Sequence, residues 1–468
     1  MSLCTSLRAL SCALWRDHRG NVAMIFALAL LPLVLSVGLA VDTARAYAVK
    51  SKLSQALDAA ALAVGSSSGT AAELQALGQK FFDANFDSSG LGTAVNFTVS
   101  ISGDIVTASA SAQVDTTVMR VVGVDTIGVE ESSEVTRSIR GLELAMVLDN
   151  TGSMTSNNNI GALRTAAQEL VDILFGGHAD HPTLRVAVVP YSASVNPGAA
   201  AADLILASVA YEPSSALGWK GCVIERLGHE MEDSPVSTAY WQQYKWLPAV
   251  DNTYTATKSS TVRADPSYGN GGTGPNLGCP TPITPLTGHK ASIDSAVQAL
   301  RAWSRGGTFG DIGMAWGLRV LSPEAPFTEG LAWNTPKWSK AVILMTDGDN
   351  GFFKLSSSAS PNNANSAVNS DYTGYGRLDQ YGFMGTTSTT AAKTVINSRL
   401  SQVCQDMKDK GITVYTITFT SGINQSTKDI YKACASSPSK WFDSPSQADL
   451  QASFRAIATE LSQLRVSH

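Results

Sequence analysis

Three short segments of this chain carry oxygen-bearing side chains in patterns that can hold a hard cation. Asp149-Asn150-Thr151-Gly152-Ser153 closes the apolar run LELAMVLD. Gly306-Gly307-Thr308 comes just before a helical stretch, and Thr346-Asp347-Gly348 follows the apolar run AVILM. In a turn leaving a strand, alternate residues point the same way, so Asp149, Thr151 and Ser153 can face one spot. With Thr308 and Asp347 they offer two carboxylates, three hydroxyls and no nitrogen or sulfur. That donor set suits Mg2+, Mn2+ or Ca2+ and not zinc or copper. Ser153 has no G-x-S-x-G surroundings, so a hydrolase triad is not indicated.

The elements that must position these residues alternate between strand and helix from Gly141 onward. The run 142–149 is almost continuously apolar, as the middle strand of a parallel sheet should be. Helical periodicity is expected over 160–175, 289–303, 311–321, 390–410 and 448–464, with a short helix near Cys434. Buried strands are expected at 184–189, 341–345 and 412–419. Such alternation predicts a doubly wound α/β sheet, which binds ligands beyond the carboxyl ends of its strands. Two long insertions interrupt it, at about 196–288 and 352–389. Trp219, Trp241 and Trp246 of the first are expected to form a local core.

Upstream, the period changes to two over 95–140. Strands are expected at 95–101, 105–114, 118–124 and 127–135, with a turn at Ser102-Gly103-Asp104. Together with a short helix at 71–82 they form a small α+β head. Before it, residues 20–41 carry no charge at all, and at ~1.5 Å per residue they are long enough to span a ~30 Å hydrocarbon layer. A cleaved signal peptide is the competing reading, but its apolar region runs only ~7–15 residues. Arg8, Arg16 and Arg19 precede the span and favour a cytoplasmic amino terminus. Leu53, Leu57, Ala60, Ala61 and Val64 continue the helical stripe, so one helix of about 45 residues is expected, half in lipid and half packed on the head. The expected organisation is a cytoplasmic segment 1–19, a transmembrane helix 20–41, a helix and α+β region 42–140, and the doubly wound domain 141–468.

With 34 Lys+Arg against 39 Asp+Glu, the net charge of -5 leaves no basic footprint for nucleic acid. Six cysteines occur without any CxxC, which argues against a zinc knuckle or thioredoxin-like site. Cys222, Cys279, Cys404 and Cys434 lie beyond the apolar span, an even number in an oxidising space if the span is an anchor. Three pairings are possible, and neighbours in order are favoured, Cys222 with Cys279 and Cys404 with Cys434.

The segments DNTGS, GGT and TDG resemble, in order and setting, the D-x-S-x-S, Thr and Asp motifs of von Willebrand factor type A (vWA) domains. The resemblance covers about 141–468 less the insertions, with Thr151 standing for the first Ser. It implies a metal-ion-dependent adhesion site in which Asp149, Thr151, Ser153, Thr308 and Asp347 form the shell of Mg2+, or of Mn2+ or Ca2+. An acidic side chain of a partner protein would fill the open position, and no catalysis is implied. The run FALALLPLVLSVGLAVD followed by QALDAAALA is similar to TadE/TadG-like proteins of the Flp (tight adherence) pilus machinery. That likeness implies a single-pass protein of the bacterial inner membrane, with most of the chain periplasmic and a pilus or envelope component as partner. A metal-independent envelope scaffold is the alternative. DNTGS also resembles the D-K-T-G-T of aspartyl-phosphate enzymes, which would make Asp149 a nucleophile served by Lys340, Asp347 and Asp349.

Overall fold

The structure, a computed structural model, describes residues 19–67, 71–86, 92–102, 105–136, 140–206, 209–233, 240–249, 251–255, 273–303, 305–353 and 370–466. Arg8, Arg16, Cys4, Cys12, the turn residues Gly103 and Asp104, and 354–369 of the second insertion lie outside them. The chain divides into two compact units, Met1–Ile139 and Arg140–His468.

In the first unit a single helix, α1 (Arg19–Gly65), runs unbroken for 47 residues through Pro32. Among the described residues it is long and apolar enough to cross a membrane. The side chains of Met24, Phe26, Leu28, Leu33, Val37 and Leu39 are exposed, whereas Leu53, Ala56, Leu57, Ala60, Ala61 and Val64 are fully buried. The helix therefore changes from an all-round apolar surface to an amphipathic one part-way along. Its buried stripe packs on α2 (Ala71–Asn85) and on the antiparallel sheet β1 (Thr93–Ser102), β2 (Ile105–Asp115) and β3 (Thr126–Thr136). β2 sends Ala108, Ala110, Ala112 and Val114 inward with a period of two.

One expected strand is absent. Residues 118–124 form a 3-10 turn, Met119–Val122, closed by Gly123 at a φ of 85°. The valine pattern suits a strand, but the Asp42 carboxylate accepts the N–H groups of Thr117, Val118 and Met119, which a sheet ladder would have needed.

The second unit is built on a six-stranded sheet in the order β13-β12-β10-β4-β5-β8. Its chain order is β4 (Gly141–Asp149), α3 (Asn159–Phe175), β5 (Leu184–Tyr191), a small hairpin of β6 (Val223–Ile224) and β7 (Gln242–Gln243), β8 (Thr284–Thr287), α4 (Lys290–Gln298), β9 (Gly307–Thr308) and α5 (Gly310–Leu321). There follow β10 (Trp338–Thr346), β11 (Gly351–Phe352), α6 (Thr389–Asp409), β12 (Thr413–Phe419), α7 (Gln425–Cys434), β13 (Trp441–Ser444) and α8 (Gln447–Val466). All neighbours in the main sheet are parallel except β8, an antiparallel edge strand within the first insertion. Leu142, Leu144, Met146 and Leu148 of β4 face α3 and α8, while Ala145 and Val147 face α5 and α6. Burial on both faces explains the unbroken apolar run read from the sequence. The expected helix over 289–303 stops at Gln298, because the Trp303 N–H is drawn to the Asn150 carbonyl at 2.7 Å.

Both insertions pack onto α5. Trp219, Trp241 and Trp246 are buried, and the Trp241 ring lies 5.2 Å from that of Trp316. Disulfides join Cys222 to Cys279 and Cys404 to Cys434 across 57 and 30 residues. Closing loops of that length restricts the unfolded chain by about 4 kcal/mol each in the chain-entropy model. Reduction is therefore expected to lower the melting temperature of the full chain markedly, which calorimetry with and without a reductant checks.

The second insertion adds a pH-dependent contact, since Tyr375 Oη donates to Asp311 Oδ2 at 2.7 Å. Burial pushes the Asp311 carboxyl up to about 7. A raised carboxyl pKa means the folded state holds the extra proton, so this group's contribution is greatest in acid. It is lost as pH rises from about 4 through about 7. Unfolding curves across that window should show stability falling with pH in the native chain and a flatter profile in Asp311→Asn.

Candidate metal centre

Strand order reverses between β4 and its two neighbours: the chain moves from β4 to β5 on one side and reaches β10 on the other. The crevice beyond the carboxyl ends of β4 and β10 is the switch point where doubly wound sheets bind ligands. Asp149 is the last residue of β4, and Asp347 directly follows β10.

Four of the five expected oxygen ligands meet there. Asp149 Oδ1 accepts from the Thr151 N–H at 2.8 Å and from Thr151 Oγ1 at 2.6 Å. Thr151 Oγ1 lies 2.9 Å from Ser153 Oγ, which lies 2.5 Å from Asp347 Oδ1. The series joins two segments 198 residues apart in sequence. Asp149, Thr151 and Asp347 are buried, while Ser153 is exposed, so the cluster opens to solvent on the Ser153 side.

Counting protons shows what this arrangement can hold. Three oxygen–oxygen contacts in series need three hydrogens, and the two hydroxyls supply two. The third would have to come from a protonated carboxyl group. Burial raises both carboxyls above the usual range, and burial followed by the neighbouring Asp149 charge pushes Asp347 up to about 8. A divalent cation in the crevice would take the place of that proton and bind both carboxylates ionised. The donors are all hard oxygens, as Mg2+, Mn2+ and Ca2+ require. Among the described residues no three His, Cys, Asp or Glu side chains gather into a metal-holding group, and this cluster offers two carboxylates with two hydroxyls.

Thr308 stands apart from this series. Among the described residues no hydrogen bond connects its hydroxyl to the other four. Its segment is stitched along the crevice instead: Asn150 Nδ2 donates to the Arg301 carbonyl at 3.0 Å, and Gly310 N–H donates to Asn350 Oδ1 at 3.1 Å. β9 pairs with β11, Thr308 opposite Gly351. A Cβ at Gly307, whose φ is 124°, would meet the Gly351 carbonyl at 2.1 Å. The glycines of the GGT segment thus permit a close approach of two backbones. Gly307→Ala is expected to move Thr308 and destabilise the fold by about 1–3 kcal/mol, which denaturant unfolding measures. Arg305 secures the same segment through Asp251 at 3.0 Å and Asp371 at 2.5 Å, one carboxylate from each insertion.

Two positioning residues are not among the five expected ligands. Thr346 Oγ1 donates to Asp149 Oδ2 at 2.9 Å, and Tyr191 Oη donates to the Met345 carbonyl at 3.0 Å beside it. Tyr191 stands opposite Asp149 in the β4–β5 register. Its place at a neighbouring strand end was the available signal.

Of the residues proposed for phosphoryl chemistry, Asp149 and Asp347 lie at the crevice, but Lys340 and Asp349 are engaged elsewhere. Lys340 sits near the start of β10, seven residues or ~23 Å before Asp347. Its ammonium is held by Glu143 and by the Leu321 and Leu331 carbonyls at 2.7 and 2.8 Å. Asp349 is taken up by Thr427 at 2.6 Å, by Lys393 at 2.9 Å and by Asn424.

Residues 20–67 match the family model described as putative Flp pilus-assembly TadE/G-like. No curated protein matches the chain. Among solved structures, the chain is similar to the vWF domain of the type V pili tip protein Mfa5 from Porphyromonas gingivalis, at 13% identity and a TM-score of 0.37, covering 69% of this chain and 95% of that one. The open conformation of the pilus adhesin SpaC from Lactobacillus rhamnosus GG matches at 12% identity and a TM-score of 0.38, over 81% of this chain and 36% of that one. A zinc-occupied form of proximal thread matrix protein 1 from the mussel byssus matches at 13% identity and a TM-score of 0.32, over 69% and 46% respectively.

Proposed function

We propose that the chain is a membrane-anchored binding protein of a pilus-assembly system, which captures a partner through a divalent cation held by Asp149, Thr151, Ser153 and Asp347. Thr308 would complete the shell. The observation that carries this reading is the oxygen series from Asp149 to Asp347, buried at its carboxylates and open to solvent at Ser153. A cation seated there would keep a coordination position facing solvent, and an acidic side chain of a pilus or envelope protein is the natural occupant of it. The TadE/G-like match over 20–67 supports the pilus setting. The apolar stretch of α1 supports a single-pass anchor in the inner membrane, and the two disulfides support an oxidising space for the carboxy-terminal unit.

A second reading, a metal-independent envelope scaffold, is favoured by the hydrogen bonds that already join the four side chains directly. Calorimetric titration of the detergent-solubilised full chain with Mg2+ and Mn2+ separates the two. Saturable binding that Asp347→Asn abolishes supports the cation site. Absence of binding in a folded chain supports the scaffold.

A further inference from the structure

The turn between β2 and β3 is built to present bare apolar side chains. Val121 is 83% exposed, Val122 54% and Val124 37%, an unusual display for a short polar-flanked connection. The turn is nonetheless well fixed. Gly123 N–H donates to the Arg120 carbonyl at 3.1 Å, Val124 N–H to the Met119 carbonyl at 3.2 Å, and Thr116 Oγ1 to the Asp125 carbonyl at 3.1 Å.

Its location decides what it can touch. Three residues on one face of α1 hold it, at the i, i+4 and i+7 positions. A Cβ on Gly38 would lie 2.1 Å from Val118 Cγ1, so glycine lets the turn approach the helix backbone. The Asp42 carboxylate accepts three N–H groups from Thr117, Val118 and Met119 at 2.9–3.0 Å. The Arg45 guanidinium donates to the Thr117 hydroxyl. Gly38 lies three residues, ~5 Å along the axis, inside the end of the charge-free stretch at Val41. Val37, Leu39 and Val41 of that stretch are themselves exposed at this level. The exposed Arg120 pairs with Asp125 of the same turn at 3.2 Å.

We propose that Val121, Val122 and Val124 form a second membrane contact, a turn inserted shallowly into the outer leaflet beside the exit of α1. The bilayer is the occupant because the turn is clamped to α1 through Gly38, Asp42 and Arg45, where the charge-free stretch ends. Three buried valines add to the anchor's hold, and the contact sets the tilt of the small head relative to the lipid plane. The proposal rests on the reading of α1 as an anchor.

The test keeps the two claims distinguishable. The full chain, with Cys4→Ser and Cys12→Ser, is reconstituted into phosphatidylethanolamine–phosphatidylglycerol vesicles. A polarity-sensitive fluorophore is placed at Val122→Cys, at Leu33→Cys within the apolar stretch, or at Ser132→Cys on β3. The expected result is a blue-shifted Leu33 label quenched by deep nitroxide lipids, a blue-shifted Val122 label quenched best by nitroxide near the lipid carbonyls, and a Ser132 label quenched by aqueous iodide. A Val122 label open to iodide while the Leu33 label is lipid-embedded overturns this proposal alone. A Val122 label shielded from both iodide and nitroxide lipids also overturns it, in favour of a protein cover. An aqueous Leu33 label overturns the anchor and the proposal together.

Discussion

Asp149→Asn is expected to weaken Mg2+ binding to the full chain by at least about 100-fold, or roughly 3 kcal/mol. The carboxylate is fully buried at the end of β4 and gathers its donors at both oxygens: Thr151 on one, Thr346 on the other. Asparagine keeps the size and an acceptor oxygen but removes the charge the cation needs. Alanine would be a poorer test, since it leaves the Thr151 and Thr346 donors facing a void and mixes stability with affinity. Calorimetric titration alongside circular dichroism separates the effects: a folded Asp149→Asn chain that binds Mg2+ as well as the native one contradicts the proposed site.

The second large effect concerns the insertions. Arg319 and Glu225 are both fully buried and lie 3.0 Å apart. Glu225 also accepts from Trp316 Nε1 at 2.6 Å, and Arg319 donates to the Glu230 and Glu232 carbonyls at 2.6 and 3.1 Å. The guanidinium lies 5.2 Å from the Trp241 ring and 4.7 Å from that of Trp316. Removing one member strands a desolvated charge, which costs about 3–5 kcal/mol. Arg319→Ala should therefore lower the melting temperature by roughly 10 °C. The double change Glu225→Leu with Arg319→Met should cost less than either single one, because it removes both charges together. If Arg319→Ala melts within a degree or two of the native chain, the ion pair is not what fastens the first insertion to α5.

The sheet and its four-residue oxygen series were legible because the signals are local. An apolar strand followed at once by D-x-T-x-S, or by T-D-G, fixes both the strand end and the side chains that leave it. The 47-residue helix was legible for the same reason, from an all-apolar stretch merging into a stripe. Other features depend on partners far away in sequence. Thr308 is positioned by Asn150, Asn350 and Gly351, none of which its own neighbourhood announces. Tyr191 acquires its role only through strand register. The valine-rich 118–124 reads as a strand until Asp42, more than seventy residues earlier, claims its N–H groups. β8 hides within an insertion whose composition says only that it is not a bare loop.

The central claim is that Asp149, Thr151, Ser153 and Asp347 hold one divalent cation. Crystals of the chain grown with Mn2+ and measured at the manganese absorption edge test it most directly. The account predicts a single anomalous peak in the crevice beyond β4 and β10, about 2.0–2.6 Å from the Ser153 hydroxyl and at least one other oxygen of the series. Saturating Mn2+ with no peak there, the four side chains still hydrogen-bonded to one another, would contradict it.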